Sequence, residues 1–236
     1  MPKFRPPVSA RSLGPVFLLL LLSLVVQSAS AQATPQQSSA QRQFDRIDLA
    51  VSGAGEITST VSGVEERDAT TTHSVLTIKP SSTVGELVTL RYTARPYIGL
   101  EFNFGNARFT QDYTFTPPPS RTILAGGAQA AARELTFGYI AHPRARPFGV
   151  QPFLGAGAGT IRFRPTTYGG QGLPYQYRAA YYYTLGVEDN FPDSHFGVRL
   201  GFRQLFYLAP DFQQNYLTIL KRVRTSEPTI GFFVRF

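Results

Sequence analysis

The chain has 236 residues, with 23 Lys and Arg against 15 Asp and Glu, and neither Cys nor Trp. Its 12 Tyr and 19 Phe are far too many for a chain that cannot build a core. Past the first 31 residues no stretch offers the ~20 apolar residues of a spanning helix, and the lack of cysteine excludes a disulfide scaffold, a thiolate metal site and a lipid anchor on cysteine.

Residues 1–31 read as a secretory signal peptide. Lys3, Arg5 and Arg11 form a positive start, Val16 to Val26 an apolar run broken only by Ser23, and Ala29-Ser30-Ala31 a small-x-small cleavage site. Cleavage removes three positive charges and no acid, so the net charge falls from +8 to +5. The remaining arginines are spread along apolar segments and not clustered in a motif, which speaks against nucleic-acid binding. Residues 32–43 are polar and of low complexity, a flexible lead-in.

From residue 44 to 236 the hydrophobic period is two, and eight strands are predicted in chain order. In 44–54, Ile47, Leu49 and Val51 alternate with Asp48, Ala50 and Ser52. In 84–94, Val88, Leu90 and Tyr92 oppose Leu87, Thr89 and Arg91; in 97–104, Ile98, Leu100, Phe102 and Phe104 oppose Glu101 and Asn103. The segment 131–142 sets Leu135, Phe137 and Tyr139 against Glu134, Thr136 and Gly138. In 148–163, Leu154, Ala156 and Ala158 oppose Phe153, Gly155, Gly157 and Gly159, the weakest pattern of the set. In 179–190, Tyr181, Tyr183 and Leu185 oppose Tyr182, Thr184 and Glu188; in 195–207, Phe196, Val198, Leu200 and Phe202 oppose Arg199 and Arg203. The last strand, 229–236, opposes Ile230, Phe232, Val234 and Phe236 to Thr229, Gly231, Phe233 and Arg235. Short links (95–97, 143–147, 191–194) alternate with long polar ones near 55–83, 109–130, 164–178 and 208–225, which places all the long loops at one end of an up-and-down meander.

Alternation alone fits a soluble sandwich or a lipocalin-like barrel equally well. The signal peptide, the loop asymmetry and a polar face that mixes mid-strand charges with glycines favour a transmembrane barrel whose charges point inward. The terminus adds a fourth observation. Thr229, Gly231, Val234 and Phe236 resemble the assembly signal of bacterial outer-membrane barrels, and residues 44–236 resemble the small eight-stranded barrels of the OmpA/OmpX-like family, most visibly in PYIGLEFNFG (96–105), PFLGAGAG (152–159) and EPTIGFFVRF (227–236). The resemblance implies a monomer in the outer membrane, in contact with its lipid and handled by the barrel-assembly machinery during biogenesis, with periplasmic termini. The family's peptidoglycan-binding domain has no counterpart in this sequence, so that role does not carry over.

In this register Asp48, Glu101, Glu134 and Glu188 face the lumen with Arg91, Arg199, Arg203 and Arg235, four charges of each sign. A hairpin centred on Pro96 sets Arg91 across from Glu101, and Glu188 lies about one diagonal step from Arg199. The expectation is an interior plugged by Arg–carboxylate pairs. Tyr92, Tyr139 and Phe196, with Phe236, suit one interfacial belt; Phe104, Tyr181 and Phe206 suit the other.

No catalytic, metal or cofactor site is expected. His73, His142 and His195 are scattered. Asp193-Ser194-His195 are adjacent in sequence and cannot form a charge relay. A lipid-modifying enzyme would need His and Ser together on the outer lipid-facing half, where the sequence has none. The expected role is structural or adhesive, through the long extracellular loops and a ligand the sequence does not name. A narrow gated pore is the alternative, a lipid-modifying enzyme the more distant one.

Overall fold

A computed structural model describes residues 43–64, 75–116, 124–192 and 194–236. The predicted signal peptide, all of the lead-in but its last residue, His73 and Asp193 lie outside them. Ten strands form among the described residues: β1 (Ile47–Thr58), β2 (Val61–Val64), β3 (Val75–Pro80), β4 (Thr83–Arg95), β5 (Ile98–Thr116), β6 (Leu124–Ala141), β7 (Gln151–Pro165), β8 (Gln176–Asn190), β9 (Phe196–Leu208) and β10 (Arg222–Arg235). Every pairing is antiparallel, and β1-β4-β5-β6-β7-β8-β9-β10 closes into a barrel when β10 pairs back onto β1. The β2–β3 hairpin adds to the upper part of β5, above the point where β4 leaves it.

The registers fix the barrel's geometry. A line of directly paired residues runs from Gln151 through Glu188, Arg199, Gly231, Ser52, Leu87, Gly105 and Glu134, and returns to β7 at Ile161. The circuit is therefore staggered by ten residues (161 − 151). With ~3.3 Å per residue and ~4.8 Å between strands, that stagger tilts the strands by roughly 41°.

The apolar stripe faces outward. Tyr139 is 67% exposed, Phe232 66% and Ile230 64%, and Val51, Leu90, Phe102, Phe137, Leu154, Leu185 and Leu200 are exposed beside them. An apolar belt continuous around the molecule far exceeds the few hundred Å² that a water-soluble monomer tolerates. From Tyr92 and Ala141 up to Tyr181 and Leu135 it spans about 15–18 Å along the axis, within the height of the apolar band of transmembrane barrels. Hydrocarbon supplies no hydrogen bonds, so an edge there would strand its backbone groups; closure of β10 on β1 removes the edge. This is a transmembrane β-barrel.

Where structure and sequence reading part is at the long-loop end. The segments expected to be loops, 55–83 and 109–130, are largely strand: β5 runs on to Thr116, β6 starts at Leu124, and β2 and β3 form within the first. The alternation changes sign there. Below Asn106 the outward residues are apolar and the inward ones polar. Above it, Arg108 and Asp112 face out while Ala107 and Tyr113 are buried, with half-buried Phe109 and Phe115 on the same inner side. The barrel thus leaves the membrane and continues as a wall with a water-facing outside and an apolar inside.

Candidate functional site

The lumen holds the chain's buried charge. Each inward residue is aimed there by strand parity, and large rings alternate with glycines to make room. Phe153 lies over Gly186, where a Cβ would sit 2.6 Å from its Cζ; Tyr182 lies over Gly157, where a Cβ would be 2.7 Å from its Cε1.

Near the short-turn end, Arg91, Arg199 and Arg235 meet Asp48, Glu101 and Glu188, three charges of each sign. Arg91 is 3% exposed and Glu101 2%; the Arg91 Nη2 to Glu101 Oε2 distance is 2.6 Å. Glu188 is the hub. Its Oε2 accepts from Arg91 Nη1 at 3.0 Å and from Arg199 Nε at 2.9 Å, and its Oε1 from Arg235 Nη2 at 3.3 Å. Arg199 Nη2 also donates to Asp48 Oδ1 at 2.8 Å. The guanidinium of Arg91 stacks 4.3 Å above the Phe153 ring and that of Arg199 4.9 Å from Phe233, an arrangement the planar, weakly hydrated group favours.

Higher in the lumen, Arg203 bridges Glu134 at 2.5 Å and Glu227 at 2.8 Å, with its guanidinium 4.8 Å from the Tyr182 ring. Neutral side chains extend the lower cluster toward Arg203, whose guanidinium faces the Tyr182 ring. Asn103 Nδ2 donates to Glu101 Oε1 at 2.9 Å, Tyr182 Oη donates to the same oxygen at 3.2 Å, and Thr89 Oγ1 donates to Asn103 Oδ1 at 2.8 Å. Above Arg203 a cavity of about 30 Å³ is lined by Glu56, Glu134, Glu227, Thr58, Tyr207 and Thr225, enough for a water or two. At the short-turn mouth an open recess of about 340 Å³ is lined by Arg46, Arg95, Arg146, Arg235, His142 and Glu188 among others.

A second, apolar tier closes the long-loop end. Leu76, Ile78, Tyr113, Phe163, Leu205 and Val223 pack inside the protruding wall, and the segment 209–221 folds over it, inserting Phe212, Leu217 and Ile219. Gln176 and Arg178 of β8 grip that segment. Gln176 Oε1 accepts from the backbone N–H groups of Asp211 and Phe212, both at 3.0 Å, while Arg178 Nη2 lies 2.8 Å from Asp211 Oδ2. Partial burial alone would raise the Asp211 carboxyl; hydrogen bonds from Gln176 and the Gln213 N–H, and the Arg178 charge, outweigh it and hold the group below the ordinary carboxylate range.

The structure places all eight predicted lumen charges on the inner face. Arg91 pairs directly with Glu101. Glu188 and Arg199 are directly opposite, not one diagonal step apart, because the link after β8 runs over 191–195, one residue longer than the expected 191–194, which shifts the register of β9. The count of four against four is also corrected. Glu227 is buried with Arg203, and Glu56 lines the cavity above it, so the upper cluster carries one cation against three carboxyl groups. His142, the last residue of the predicted segment 131–142, lies just past the end of β6 with its Nε2 3.5 Å from Glu188 Oε1; the inward parity it shares with Glu134 is the sequence signal for it. Ser194 serves its turn, accepting from Phe196 N–H at 3.0 Å, and His195 lies beside it at the same end. No group of three metal-ligating side chains occurs among the described residues.

Of the predicted belt residues, Tyr139, Phe196, Phe104 and Tyr181 are exposed on the outer face. Tyr92 is half-buried and hydrogen-bonded to Gln43 at 2.7 Å, and Phe206 is half-buried with its ring 6.0 Å from Tyr183. In the terminal strand Thr229 and Gly231 face inward, Val234 and Phe236 outward, and Phe236 N–H donates to the Ile47 carbonyl at 3.2 Å, tying the chain end to β1 at the closing seam.

No protein-family model and no curated protein sequence matches this chain. Among solved structures it is similar to Neisserial surface protein A, NspA, at 12% identity and a TM-score of 0.49, over 80% of this chain and 97% of that one. It is also similar to the outer membrane protein OprG from Pseudomonas aeruginosa, at 13% identity and a TM-score of 0.46, over 80% and 95%. A third is the outer membrane protein AlkL in lipid bilayers, at 13% identity and a TM-score of 0.45, over 88% and 97%. By its own architecture the chain is a closed eight-stranded transmembrane barrel, the class to which the small outer-membrane barrels that its sequence resembles belong.

Proposed function

We propose that this is an integral outer-membrane barrel that conducts nothing at rest and works through its long-loop end as a surface-interaction protein. The observation that carries this reading is the double closure of the lumen. An Arg–carboxylate lattice fills the membrane-level interior, and an apolar tier capped by 209–221 fills the rest. What is left for partners is the rigid outer wall of β2, β3, β5 and β6. That wall is expensive to build if its only task is to connect strands, since a two-residue turn would do so. Planar-bilayer recordings test the closure. The expected result is insertion without steady current; well-resolved conductance in most insertions would overturn it in favour of a narrow pore. Replacing 61–78 by a short turn tests the second half: the barrel should still insert and resist detergent, while adhesion of cells that display it to a surface is lost. Adhesion unchanged by that replacement would refute the role of the wall.

A further inference from the structure

Four arginines stand on the outer face of three neighbouring strands, immediately above the apolar band. Arg133 on β6 is directly opposite Arg162 on β7. One row higher, Ala131 lies between Arg108 on β5 and Arg164 on β7. Arg108, Arg133 and Arg164 are exposed and Arg162 half-exposed. None of the four forms an ion pair or a side-chain hydrogen bond among the described residues. Two carboxylates face outward nearby. Glu86 accepts from Asn106 Nδ2 at 3.0 Å, and Asp112 lies two rows above Arg108. Like charges directly opposite one another on a sheet are destabilising, so the Arg133–Arg162 pair is a cost the fold carries without any internal return.

The level of the cluster identifies the ligand. The barrel's tilt puts Arg108, Arg133 and Arg162 within about 3 Å of one height. The next row down is Phe104, Leu135, Thr160 and Ala179, and the row below it Phe102, Phe137, Ala158 and Tyr181. The lower row is a lipid-facing surface, with Ala158 recessed between the Phe137 and Tyr181 rings. A freely dissolved anion has no use for that surface. A lipid does, because its chains run down the barrel while its headgroup sits at the arginines. Guanidinium groups bind phosphate with paired, charge-assisted hydrogen bonds.

We infer that Arg108, Arg133, Arg162 and Arg164 form a seat for a phosphate-bearing lipid of the leaflet at the long-loop end, with the phosphate between Arg133 and Arg162. This rests on the membrane reading above and can fail without it. The test uses the full mature chain in nanodiscs of phosphatidylcholine doped with phosphatidic acid, and counts retained phosphatidic acid by native mass spectrometry. The wild type should retain it over phosphatidylcholine by about tenfold or more, the equivalent of one charge-assisted contact, and Arg133→Gln/Arg162→Gln should lose that preference. Arg222→Gln/Arg224→Gln removes two outward arginines on β10, away from the cluster, and should keep it. Equal loss in both double variants would mean unspecific attraction by net charge and would overturn the seat. So would an unchanged preference in Arg133→Gln/Arg162→Gln, or inorganic phosphate displacing the lipid at millimolar concentration. Heat-shifted gel migration, present in every variant, separates these outcomes from failure of the barrel itself.

Discussion

Replacing Glu188 by Gln tests whether the lumen lattice holds the barrel together. The side chain is 4% exposed, and three guanidinium groups and His142 converge on it. In the wild type Arg91, Arg199 and Arg235 balance Asp48, Glu101 and Glu188. The variant leaves three cations with two anions in a site closed to bulk water. Removing one member of a buried ion pair costs about 3–5 kcal/mol, most of it the burial of an uncompensated partner. Arg235 is the most exposed of the three arginines, so it can turn toward the recess and relieve part of the excess; the low end of the range is expected. With a urea dependence of about 2 kcal/mol per molar, the unfolding midpoint in lipid vesicles should fall by roughly 1.5 M. Glu188→Leu combined with Arg199→Met removes one charge of each sign, and should cost clearly less than the two single changes added together. A midpoint for Glu188→Gln within about 0.3 M of wild type would show that the lattice fills space without stabilising the fold, and would refute the reasoning.

Gly157→Ala places a Cβ 2.6 Å from the Gly138 Cα and 2.7 Å from Tyr182 Cε1; overpacking of this kind costs about 1–3 kcal/mol. Gly126→Ala, where a Cβ meets nothing within 4 Å, should leave the urea midpoint unchanged. The Asp211 carboxyl is held below its unfolded value, so its contribution to the cap is complete above the ordinary Asp pKa of about 3.9 and is lost as the pH falls from there through the folded value. Hydrogen exchange over 209–221 should therefore rise on acidification below about pH 4, and Asp211→Asn should show raised exchange at neutral pH. Deleting Phe236 removes the outward aromatic at the seam and its bond to Ile47; membrane insertion measured by heat-shifted gel migration should drop, whereas deleting residues before 43 should leave the folded barrel intact.

The membrane-level barrel was legible because two environments impose opposite demands on neighbouring residues. Tyr181 and Tyr182 are the same residue type, yet one is exposed and the other buried, as the parity of their strand requires. The protruding wall was not legible at a fixed phase. Residues 109–116 read as part of a polar loop because the outward positions turn polar where lipid ends; Phe109, Tyr113 and Phe115, all of one parity, carry the strand signal. Glu227 lies two positions before the predicted last strand, 229–236, and so carries no expected parity. The strand continues through Pro228, paired to Phe202 of β9, and its pairing with β1 skips Glu227 and Pro228. A proline has no N–H for the ladder. The grip of Gln176 and Arg178 on Asp211 joins residues more than 30 positions apart, a pairing no local pattern encodes.

The direction of the apolar stripe is most directly measured with tryptophan, which the chain lacks, so that each single substitution emits alone. Tyr181→Trp and Tyr182→Trp sit side by side in sequence on opposite faces of one strand. In vesicles of brominated lipid the emission of Tyr181→Trp should be strongly quenched by the acyl chains, and that of Tyr182→Trp should remain close to its value in unbrominated lipid. Quenching of Tyr182→Trp alone, or of neither, would contradict an outward apolar face and an enclosed charged interior.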